Sequence, residues 1–197
     1  MSTSSLIRWG GLGSALVGVA WIASGFLADV SQTERFPPGL LSIYLVQSST
    51  PLAGKLFALA AVLFTLPGMV GLHALQQDRI TNTGWLGFFT VIVAFLGQAF
   101  GTVAYLVVYP LFPVFRLFLA PAVGILGVLG GFVLYSEATM RANVLPFWCG
   151  VVLTMGTGLS IALGPNIGNV LFGLFWLAFG YLLLQRAQAY RPSAYSS

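Results

Sequence analysis

Charge is the scarcest property of this chain: of 197 residues, only 6% are Asp, Glu, Lys or Arg. So little polar surface is not enough to coat a water-soluble globule. There is one cysteine, Cys149, which excludes an internal disulfide and says nothing about redox compartment. There is one histidine, His73. A metal centre takes three or four nitrogen, sulfur or oxygen ligands, and no ligand spacing in the chain supplies them. Haem or chlorophyll ligation by His73 likewise has no supporting constellation, and the sequence leaves the cofactor unknown. Eight cations against four carboxylates give a formal charge of +4. They stand singly between apolar runs with no basic stripe, which excludes nucleic acid as a partner.

What the chain has in abundance is apolar sequence: 58% hydrophobic residues, with a mean hydropathy of +0.94. This is the composition of an all-α integral membrane protein, placed in the cell membrane with the lipid bilayer as its first partner. A crossing needs about 20 apolar residues. Runs near 8–28, 52–76, 84–109, 114–136, 146–164 and 167–186 predict six transmembrane helices in a single domain covering 1–197. The first run is longer than a signal-peptide core, and Phe26 spoils a small-residue cleavage pattern before Ala28. It is therefore read as a retained helix. Thr50-Pro51 reads as a helix start, Asn82/Thr83 as the cap of the third helix, and Pro165-Asn166 as a break and restart. The long outer loop, 29–51, carries the apolar stretch Leu40 to Val46, too short to span and suited to lying at the interface.

With both termini on one side, that side carries Arg8, Arg79, Arg141, Arg186 and Arg191, against Arg35, Lys55 and Arg116 opposite. The positive-inside bias then predicts cytoplasmic termini. A repeat is also visible. Odd-numbered helices begin at Trp9-Gly10-Gly11, Trp85-Leu86-Gly87 and Trp148-Cys149-Gly150. Even-numbered ones end in Gly71-x4-Gln76, Gly131-x4-Ser136 and Gly180-x4-Gln185. These patterns suggest three related helical hairpins, although tryptophan at interfaces and glycine in membrane helices are common in themselves.

Candidate site residues are few. In the third helix Gln98, Thr102, Tyr105 and Tyr109 follow i, i+4, i+7, i+11 spacing and share a face. A glutamine near mid-membrane needs a hydrogen-bonding partner. Thr154, Thr157 or the Leu63 carbonyl released by Pro67 would serve as interhelical glue, and a polar ligand is the alternative. His73 lies six residues before Arg79, about 9 Å from that helix end, so it is expected at the interface among solvated polar groups. Glu137 and His73 are the pair an inner-face enzyme would use. A Ser24–His73 dyad fails on depth, since about 15 Å along the helix axes separates residues that must approach to about 3 Å.

Gly11, Gly18 and Gly25 give the first helix a smooth side for close packing, either within the chain or against another one. Together these features predict a non-enzymatic multi-pass protein that binds a lipid-like molecule, a membrane protein partner or a second copy of itself. A transporter of a small, poorly charged solute and a lipid-modifying enzyme are the alternatives.

Overall fold

A computed structural model describes residues 2–27, 52–108 and 127–189. The expected outer loop, Tyr109 and the first part of the fourth span lie outside these residues. Among the described residues all regular structure is helical. It comprises α1 (Thr3–Leu27), α2 (Leu52–Gln76), α3 (Asn82–Val108), α4 (Gly130–Ala142), α5 (Phe147–Val151), α6 (Thr157–Ala162) and α7 (Gly164–Ala189). A π turn, Val152–Gly156, joins α5 to α6. Four helical stretches, Thr3–Leu27, Leu52–Gln76, Asn82–Phe100 and Asn166–Ala189, are long and apolar enough to cross a membrane.

Helix ends follow local chemistry. The Ser2 hydroxyl accepts the Ser5 N–H at the start of α1 (3.3 Å). The expected cap of α3 is displaced by one residue: the Thr81 hydroxyl, not Asn82 or Thr83, accepts the Gly84 N–H (3.4 Å). The fourth span was expected to end at 136, where charge begins, but α4 continues to Ala142. A helix need not stop where apolar sequence does. Glu137 and Arg141 pair across one turn at 2.6 Å, while Ala138 and Ala142 remain buried. Asn143, in the left-handed conformation (φ 51°), then closes α4. The break before α7 is a single residue, Leu163, and Pro165 falls in the first helical turn, where its missing N–H is not needed.

Successive helices pack on one another, except α5 and α6, which continue end to end through the π turn, and α7 returns to pack on α1, closing a ring. Neighbours run antiparallel. Gly10 of α1 lies against Gly71 of α2, whereas Ser24 lies against Gly54. Gly11 meets Leu184 of α7, whereas Gly25 meets Val170. The N-terminus of α1 and the C-terminus of α7 therefore share one end of the bundle. The same end holds Arg8, Asp78, Arg79, Glu137, Arg141 and Arg186, whereas Lys55, in the first turn of α2, stands at the other end.

Glycine makes the seams close. A Cβ on Gly10 would meet the Gly71 backbone, one on Gly18 the Gly173 carbonyl, and one on Gly87 the Tyr135 and Gly131 backbone. The smooth side of α1 formed by Gly11, Gly18 and Gly25 is thus filled by α7 of the same chain. Two of the suspected hairpins close glycine to glycine, Gly10 on Gly71 and Gly87 on Gly131. The third differs: Gly150 packs on Ser136 and Met140 of α4, and Gly180 packs on Gly11 and Ala15 of α1. Outward positions are apolar, including Leu16, Val19, Leu86, Phe89, Val93, Phe100, Met155 and Ile167.

Candidate functional site

The connection between α2 and α3 determines where the histidine goes. The Arg79 N–H donates to the Gln76 carbonyl (2.9 Å), ending α2, and Thr81 starts α3 at once. So short a turn sets the last turn of α2 beside the first two turns of α3. His73 consequently meets Trp85 (ring centroids 4.1 Å, edge-on) and Phe88 (4.2 Å, stacked). From α4, Tyr135 closes the group at 6.3 Å from the imidazole, held there by the Gly87–Gly131 approach.

The axial place of His73, one turn from the end of α2, is the expected one, but its surroundings are not. It is 7% exposed, walled by aromatic rings rather than solvated. The cause is the rotation of α2, which turns position 73 toward α3. Gln76, three residues on and so on the same face, is 1% exposed, and Tyr135 is fully buried. None of their five polar side-chain atoms has a hydrogen-bond partner: His73 Nδ1 and Nε2, Gln76 Nε2 and Oε1, and Tyr135 Oη. Buried polar groups are ordinarily paired, and each orphan costs on the order of 1–3 kcal/mol. Other buried side-chain atoms without partners, on Ser14, Trp21, Asn166 and Asn169, belong to α1 and α7. The His73 group holds five such atoms, against one on each of those four residues.

The remaining sequence candidates are dispersed. Gln98 is half-buried on α3, and Thr102 and Tyr105 lie further along the same helix. Of the threonines named for Gln98, the Thr157 hydroxyl donates to the Leu153 carbonyl (2.6 Å) and that of Thr154 pairs with Ser136 (2.5 Å), which leaves both oxygens able to accept a further bond. Ser136 in turn donates to the Val133 carbonyl, so Thr154 is the donor across the α4–π-turn seam.

Glu137 is 47% exposed and bound to Arg141, and neither His73 nitrogen is bonded to it. Ser24 donates to the Gly54 carbonyl (3.5 Å), which stands nineteen residues before His73 on α2, about 28 Å along the axis. A Ser24–His73 dyad is therefore farther from reach than depth alone implied, because His73 is level with the start of α1. Cys149 is buried and free. No three His, Cys, Asp or Glu residues among those described are placed to hold a metal.

Gln76, Trp85, Phe88 and Tyr135 are thus the residues that sequence reasoning missed as site candidates. The His73–Gln76 spacing was a usable signal, two polar groups on one face of an apolar helix. Tyr135 had none, since only the α3–α4 seam brings it there. No protein family, curated protein or solved structure is matched by this chain.

Proposed function

We propose that this is a multi-pass membrane protein, with six passes and cytoplasmic termini, that binds a lipid-like molecule without converting it. The membrane reading rests on four membrane-length apolar helices and on an outward surface made of Leu, Val, Phe, Met and Ile. Cytoplasmic termini are supported by Arg8, Arg79, Arg141 and Arg186, which stand at the end where α1 begins and α7 finishes. The observation that carries the binding reading is the group of five unpartnered polar atoms of His73, Gln76 and Tyr135 at that same end, beneath aromatic walls. In an otherwise apolar bundle these atoms gain most from an occupant that brings its own donors and acceptors.

A catalytic reading draws less support, because the histidine has no carboxylate partner and Glu137 is neutralised by Arg141. The test is native mass spectrometry of protein extracted in mild detergent from its own host, with lipid identification on the same sample. A retained lipid-like molecule in stoichiometric amount is the expected result. An empty monomer in every mild detergent and nanodisc would sink the reading.

A further inference from the structure

We infer that the molecule held at this site presents an uncharged head bearing hydroxyl or carbonyl oxygen, bound by His73, Gln76 and Tyr135. The inference rests on the binding reading above and adds the chemical class of the head. Three observations carry it.

The first is the inventory of unpartnered atoms. A neutral imidazole has one donor and one acceptor nitrogen, the Gln76 amide supplies both kinds, and the Tyr135 hydroxyl does either. Such a set matches an oxygen that accepts, donates or does both. The second is the placement of charge. Arg8, Arg79, Arg141 and Arg186 are all exposed, and Arg141 is committed to Glu137. A phosphate drawn to this end of the bundle would stay with exposed arginines rather than enter a buried group that has no cation. Burying an anion there without a counter-charge is strongly unfavourable.

The third is the shape of the walls. His73 is gripped between Trp85 and Phe88, so its ring nitrogens are held in place before anything binds. Trp85 reaches from contact with the imidazole to the outer surface, where it is 40% exposed. It links the buried group to the outer surface, and the proposed path of the lipid's head runs beside it.

Two bilayer sources share this head chemistry, acylglycerols and isoprenoid quinones. Dioleoylglycerol and decyl-benzoquinone are the probes, offered separately to the full chain in detergent, with dioleoylphosphatidylglycerol as the anionic competitor. Native mass spectra give retention, and thermal melting gives the shift on binding. The expected result is retention of one uncharged probe, whose identity names the source. Tyr135→Phe and Gln76→Leu should each weaken it about three- to tenfold, the worth of one hydrogen bond.

Tyr135→Phe also separates binding from folding. It removes a hydroxyl that has no partner, so the ligand-free variant should melt no lower than the parent while its ligand-induced shift shrinks. Retention of the anionic lipid in place of both uncharged probes would overturn the uncharged head and leave the binding reading standing. Retention of an uncharged probe that neither substitution alters would overturn the assignment to these residues. Retention of no lipid probe would overturn this inference and the binding reading together.

Discussion

At the scale of single residues, the chain shows two kinds of polar position. Ser136 and Thr154 satisfy one another across helices, and Thr65, Thr139 and Thr157 return their hydroxyls to a carbonyl four residues back. Those groups need nothing from outside. His73, Gln76 and Tyr135 are buried as deeply and remain unpaired, which is what marks them as the candidate site.

Asn143 is a third kind, chosen for its backbone: with φ at 51° it holds a conformation that a β-branched residue adopts poorly. Asn143→Val should cost about 1–2 kcal/mol in thermal or denaturant unfolding, with Asn143→Gly close to neutral. Equal stability of the valine variant would mean that the turn relaxes out of the left-handed region. The position of His73 along its helix was legible from its distance to Arg79, because axial position is additive along a chain. The direction it faces was not, since that depends on Trp85, Phe88 and Tyr135, which a single helix pattern does not contain.

At the scale of elements, α2 was readable end to end because Pro51 and the Gln77–Arg79 stretch bound its apolar run on both sides. The end of α4 was misjudged because charge marks where water begins, and an ion-paired helix continues past that point. The π turn at Val152–Gly156 had no readable signal. Its extra residue per turn changes no composition, and only packing against Ser136 and Phe175 reveals it. Glycine count alone also could not separate structural glycines from idle ones.

The geometry does separate them. Gly10→Val places a side chain against the Gly71 backbone, where neither helix has a side chain to move aside, and should cost about 1–3 kcal/mol or more. Gly130 has nothing within 4 Å of its would-be Cβ, so Gly130→Ala should be neutral or stabilising by up to about 1 kcal/mol. Melting curves in detergent decide it. If both variants melted alike, the close α1–α2 seam would not be what holds those helices.

At the scale of the whole molecule, alternating helices in a closed ring bring the start of α1 and the end of α7 to the end that carries Arg8, Arg79, Arg141 and Arg186. The proposed orientation can be read with a cysteine at position 197 in a Cys149→Ala background. A membrane-impermeant thiol reagent should label it only after the cells are permeabilised. Labelling of intact cells would place the arginine-bearing end outside and reverse the orientation.

The ring has a further consequence, in time rather than space. α1 leaves the ribosome long before α7, yet the Gly11, Gly18 and Gly25 face of α1 is covered by α7. During synthesis α1 and α2 can pair early through Gly10 and Gly71, a local contact that closes a modest loop. The other flank of α1 stays bare until α7 has been made. Assembly therefore finishes where it began, and a nascent chain halted before α7 exposes a ready-made glycine groove to whatever apolar helix is nearest.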